Sequence, residues 1–328
     1  MIILLGIIIY ILYKDYLRQK AKDTTPGKGT ALVKYANTPD RTRLYIVGGL
    51  IGGIYSVIFI WLNFAWYRLY ARSKFHWFDD RSEWNQIDKA GHFFGAYFET
   101  VWAYELLRWS GLGNKRAAIA AAFIGMGFES SIEIWDGFST KWGASWSDLT
   151  ANAAGALLAM AQYLMWEEQR VMCKYSYRIN EFQYPKGELS ERANDLFGRT
   201  LFEKALKDYN NITLWLSINP SKFVPAIKPD WMCLAIGYGG ENLYGGFENK
   251  WTDKDGKLHD RTDLPRNRLL KFSLDADLPR LRKTDPEGKA VMKVLNIVKM
   301  PFPSYTIRLD APNINQSNAQ KPYPKAND

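Results

Sequence analysis

Residues 44–67 read LYIVGGLIGGIYSVIFIWLNFAWY, 24 positions without a charged side chain. As a helix this run is about 36 Å long, enough to cross the ~30 Å hydrocarbon core of a bilayer. Arg41 and Arg43 precede it and Arg68 and Arg72 follow it. Basic residues on both flanks anchor the ends but give no orientation. Inside the run, Gly48/Gly52 and Gly49/Gly53 form two overlapping GxxxG pairs, which let a second helix approach closely. The reading is a transmembrane helix, with a buried helix of a soluble domain as the alternative.

Upstream, residues 1–13 (MIILLGIIIYILY) are apolar but too short to span, so they read as an uncleaved anchor or an export signal. Residues 14–43 read as a basic linker broken by Pro26, Gly27, Gly29 and Pro39. Net charge is +9 and spread along the chain, with one local excess in residues 1–43, where 8 basic groups face 3 acidic ones. Lysines beside an apolar run suit anionic lipid better than a nucleic-acid groove. The expected partners are therefore the lipid bilayer and a lipid-linked or cell-wall component, with no nucleic acid. A hydrophobic share of 47% excludes global disorder, and 13 Trp with 19 Tyr suit headgroup zones or a core.

Downstream, helices are predicted at Asp88–Trp109, Lys115–Trp135 and Ser147–Glu168. Short loops make neighbours antiparallel, so residues 44–170 form a helical membrane bundle. After Arg170 the pattern changes. Residues 184–187 signal a turn, a helix is expected near Ser190–Tyr209, and period-2 alternation predicts four strands at Ile212–Ile218, Trp231–Tyr238, Lys271–Leu278 and Ser304–Asp310. The glycines at 237–240 and 245–246 read as strand-end turns, not a phosphate cradle, because no Lys-Ser/Thr follows them. The predicted class is mainly α: a membrane-associated four-helix bundle, then a small α+β domain at 171–311 and a disordered tail at 312–328. Cys173 and Cys233 are too few for a zinc cluster and allow at most one disulfide.

Polar residues interrupt the three downstream helices in stripes. Asp88, His92 and Glu99 lie on nearly one side of the first, and Glu129, Glu133 and Asp136 line the second. Asp148 and Asn152 do the same on the third, just after Ser145. A lone charge at membrane depth costs about 2.5–3.5 kcal/mol on insertion scales, so these groups should face one another, Lys89 or water. Gathered together they would hold protons and form an ion, headgroup or proton site. The plain alternative is that Asp88 and Asp148 only cap helix starts. Asp88 and His92 share a face, but neither Glu-x-x-His nor His-Glu-x-x-His occurs, so no metal centre is assigned. Mixed oxygen and single-imidazole ligands would suit Mg, Mn or Ca more than zinc. No cofactor is indicated.

Read in order, Asp88-Lys89-Ala90-Gly91-His92, Glu133, Trp142-Gly143-Ala144-Ser145 and Asp148-Leu149-Thr150-Ala151-Asn152-Ala153-Ala154-Gly155 make a pattern. It resembles the YfiM-like family of predicted periplasmic lipoproteins, a domain of unknown function, and more distantly the VanZ-like membrane proteins. The resemblance covers residues 75–168 and implies Asp88, Lys89, His92, Glu133, Asp148 and Asn152 as motif positions in a cell-envelope protein. No cysteine precedes Cys173, so a peptide anchor is expected in place of a lipid on an N-terminal cysteine. Three functions remain open: binding or assembling an envelope component, hydrolysis or transfer on an amphiphilic substrate, and a scaffold. Convergence of the carboxylates separates the first two from the third.

Overall fold

The computed structural model describes residues 34–65, 67–179, 181–281 and 286–310. The anchor expected at 1–13, most of the linker and the tail at 312–328 lie outside the described residues.

The uncharged run forms helix α1, Arg41–Ala65. It is long and apolar enough to cross a membrane. Among the described residues it packs mainly along one edge. Val47 and Ile51 meet Ala103, Tyr104 and Leu107, while Tyr55 donates to Ser131 Oγ at 2.7 Å. A methyl group placed on Gly48, Gly49, Gly52 or Gly53 would meet no atom within 4 Å, so among the described residues neither GxxxG pair receives a helix.

Helices α2 (Ile87–Trp109), α3 (Asn114–Asp136) and α4 (Trp146–Trp166) make the bundle core. The alanine run of α3 works as small-residue packing: Ala117, Ala118 and Ala121 are fully buried beside Ala103, Leu107 and Tyr163. The Ala151/Gly155/Ala159 stripe of α4 faces α2. A Cβ at Gly155 would sit 2.0 Å from Phe93 O, so the two backbones nearly touch there. Helix α3 also passes the length and apolarity test for a span, but its core face lies against α2 and α4.

The chain enters α2 through Trp84, Asn85 and Gln86, three successive left-handed residues with φ of 48°, 53° and 62°. Such residues cost of order 1–2 kcal/mol each. Packing offsets this: Trp84 N donates to Gly246 O, and Tyr238 OH donates to Asn85 O at 2.5 Å.

Beyond α4, five antiparallel strands run in the order β1-β2-β3-β6-β7: β1 Val171–Tyr177, β2 Ile212–Ile218, β3 Met232–Glu241, β6 Asn267–Ala276 and β7 Ser304–Arg308. Strands β4 (Lys250–Thr252) and β5 (Leu258–Asp260) form a separate pair. Four of these strands match the alternation in sequence. The expectation of four misses β1, where Lys174 breaks the apolar run, and the short pair. The helix expected at 190–209 is two, α5 (Glu188–Phe197) and α6 (Leu201–Lys207), divided at Gly198 with φ +84°. Helices α7 (Leu278–Leu281) and α8 (Pro286–Leu295) follow β6. Gly237 to Gly240 lie within β3, not in a turn. Gly237 leaves room for the Trp215 ring, which a Cβ there would meet at 2.6 Å.

The sheet buries its polar face. Lys174 and Asp275 are both fully buried and pair at 2.8 Å, and Ser217 donates to the same carboxylate. On the opposite face Cys173 packs on Tyr97, Phe98 and Ala159 of the bundle. Its register neighbours Leu216, Ile236, Phe272 and Tyr305 continue that row across the sheet and are exposed. Both cysteines are free and buried.

Candidate functional site

The three polar stripes meet where α2 begins. Lys89 Nζ lies at 2.5 Å from Asp80 Oδ2, 3.1 Å from Asp88 Oδ2 and 2.9 Å from Asp148 Oδ1. One turn further, His92 Nδ1 lies 3.2 Å from Asn152 Oδ1 and 3.3 Å from Glu129 Oε2. Its Nε2 faces Glu133 Oε1 at 3.5 Å and Asp148 Oδ2 at 3.8 Å. Glu133, Asp148 and Asn152 are buried. Five carboxyl groups thus surround one ammonium and one imidazole.

Local structure explains why these side chains point inward. Ser145, not Asp148, caps α4: its Oγ accepts from Asp148 N at 3.1 Å. The same hydroxyl donates to Asp80, and Ser145 N donates to Glu133 Oε2 at 2.8 Å. Glu133 therefore holds the amide that a capping box would give to the residue at 148, and Asp148 is left to face Lys89 and His92. Its role goes beyond closing a helix end.

Two expected residues sit apart. Glu99 lies further along α2, with Oε2 buried and without a hydrogen-bond partner among the described residues, and the one charged group acting on it is Glu129. Asp136 bonds the Tyr67 hydroxyl at the far end of α3. A cleft of about 200 Å³ opens beside it, among Tyr67, Tyr70, Arg72, Trp135 and Phe138. Three groups at the centre escaped the sequence reading. Asp80 and Ser147 come from outside the helical stripes, and the Asp79-Asp80 pair just before the motif was the available signal. Tyr209, which donates to Asp88 Oδ1 at 3.2 Å, comes from 121 residues away and has no local signal.

The electrostatics follow from burial and crowding. Asp80 is held down to about 2: burial opposes this, but hydrogen bonds from Asp148, Lys89, Ser145 and Ser147 outweigh it. Asp148 moves the other way, raised by burial, by Asp88 and by the proton it shares with Asp80. Glu83 is pushed up to about 7 by burial and the Asp88 charge. Burial works against charge on His92, but Glu129, Asp88 and Asp148 hold its proton affinity well above the usual value.

These shifts fix a sign. Glu83 and Asp148 keep protons in the folded chain that the unfolded chain releases from about pH 4 upward, so stability falls as pH rises toward 7. His92 extends the decline above about pH 6.5, whereas Asp80 matters only below pH 4. The melting temperature in chelator-containing detergent should therefore drop between pH 5 and pH 8. A rise over that interval would contradict the assigned protonation.

Residues 76–164 match a family model described as "Predicted periplasmic lipoprotein (DUF2279)". That family is a domain of unknown function, and the match supports a place in the cell envelope. The matched stretch contains Asp80 through Asn152, hence every site residue named here except Tyr209. No curated protein and no solved structure matches the chain.

Proposed function

We propose that this chain is a membrane-anchored envelope protein that binds an envelope component, a lipid headgroup or a cell-wall intermediate, at the polar centre of its bundle. One observation carries the reading. Asp80, Asp88, Glu129, Glu133 and Asp148 converge from three helices and a loop, yet Glu133 Oε1 is buried with no hydrogen-bond partner among the described residues, the nearest polar atom given being His92 Nε2 at 3.5 Å. Scaffold packing ordinarily satisfies such an atom, because leaving it unpaired costs about 1–3 kcal/mol. The exposed α1, uncharged after Arg43, supports anchoring. A group entering this ring must carry positive charge or arrive with a cation, since carboxylates outnumber bases.

A second reading has its own support. His92 has one nitrogen held by Asn152 and Glu129 and the other turned to two carboxylates, an arrangement suited to moving a proton in hydrolysis or transfer.

Complementation tests the first reading. In a strain lacking the protein, Asp148→Asn, His92→Ala and Glu133→Gln should each fail to restore envelope-stress tolerance at normal protein levels. Full rescue by all three would overturn it. Turnover of lipid-linked substrates by purified protein, abolished in His92→Ala, would favour the second reading.

A further inference from the structure

We infer that Asp88, His92 and Asp148 form a divalent-cation site, with Glu133 as a further ligand on the far side of the imidazole. Once a cation displaces the second imidazolium proton, Nδ1–H stays on Glu129 and Asn152 Oδ1, and the freed Nε2 lone pair points toward Glu133 Oε1 and Asp148 Oδ2. Each carboxylate oxygen repels that lone pair unless a cation or a proton lies between them. Their separations from Nε2, 3.5 and 3.8 Å, are near the ~3.4 Å edge of a tetrahedron with 2.1 Å metal–ligand bonds. Ligand atoms of Asp88, His92 and Asp148 also lie within 4.8 Å of one another.

The surroundings suit a cation as well. Metal-bound imidazoles usually donate their second N–H to a carboxylate or carbonyl, as Nδ1 does here. Ser145 N orients Glu133, and Lys89 orients Asp148. Glu133 is 2% exposed, and its Oε1 has no hydrogen-bond partner among the described residues. The neighbouring trio Asp80, Glu83 and Asp88 is different, because it offers no imidazole. One imidazole with carboxylates suits an ion that accepts nitrogen and oxygen together, Mn2+ ahead of Zn2+.

A bound cation would turn a carboxylate ring into a partner for an anionic headgroup, and to that extent the inference deepens the envelope-binding reading. Its test uses metal alone, so the two can fail separately. The full chain in detergent, stripped with chelator, is titrated with Mn2+ and with Zn2+ by calorimetry, with metal content counted after desalting. The expectation is one equivalent of at least one ion. Glu133→Gln and His92→Ala should each weaken binding tenfold or more, and Glu188→Gln, on the remote His259 cluster, should not. Melts without metal come first; if His92→Ala does not fold, the near-isosteric Glu133→Gln decides alone. Absence of binding, meaning that a proton alone occupies the point, would overturn the inference. So would binding that neither variant alters.

Discussion

Exchanging Lys89 for methionine should lower the stability of the folded chain by about 3–5 kcal/mol, the usual result of removing one partner from a buried ion pair. Its ammonium touches Asp80, Asp88 and Asp148, and its side chain is only 12% exposed. Methionine keeps the stem and removes the charge, leaving three carboxylates within reach of one another. The melting temperature should fall by roughly 10 °C at pH 8. The loss should shrink at pH 5, where protons can replace the ammonium. A variant melting within about 2 °C of the parent at both pH values would mean that Lys89 is a bystander.

Gly155→Val should be about as damaging, for a steric reason. A Cβ there falls 2.0 Å from Phe93 O, 2.9 Å from its carbonyl carbon and 3.1 Å from Tyr97 N. All are backbone atoms of α2, which cannot turn aside as a side chain can. Overpacking costs about 1–3 kcal/mol where neighbours yield, and the rigid helix places this case at the upper end. Separating α4 from α2 also draws Asn152, one turn earlier, away from His92. Thermal melting should show the loss, and the His92 imidazole resonances should shift. A wild-type melt with unmoved resonances would refute the close approach.

How far the sequence reaches depends on the range of each signal. Helices α2, α3 and α4 and their inward stripes were legible because polar groups in apolar helices recur every three or four residues. Strand periodicity in 212–218 and 304–310 was equally local. What could not be read is which face of the sheet turns inward. Period-2 alternation is the same either way, and only Lys174, Ser217 and Asp275 finding one another decides it. β1 was missed because a fully buried lysine looks like a loop residue. At the site, the helical spacing alone puts Lys89 and His92 beside acidic stripes, but the grouping of Asp80 with Ser145 and Ser147 needs tertiary structure. Tyr209 needs the whole chain, since its reach to Asp88 closes a loop of 121 residues.

The row that begins at Cys173 under the bundle and runs out through Leu216, Ile236, Phe272 and Tyr305 makes the two halves of this chain unequal once parted. Severed near residue 170, the C-terminal half would lose the cover over Cys173 and present one unbroken greasy strip, while Asp88 would forfeit its tyrosine. Neither fragment should be soluble and faithful by itself. Insertions and tags are better borne at the exposed hairpin around Gly256 than at the junction between bundle and sheet.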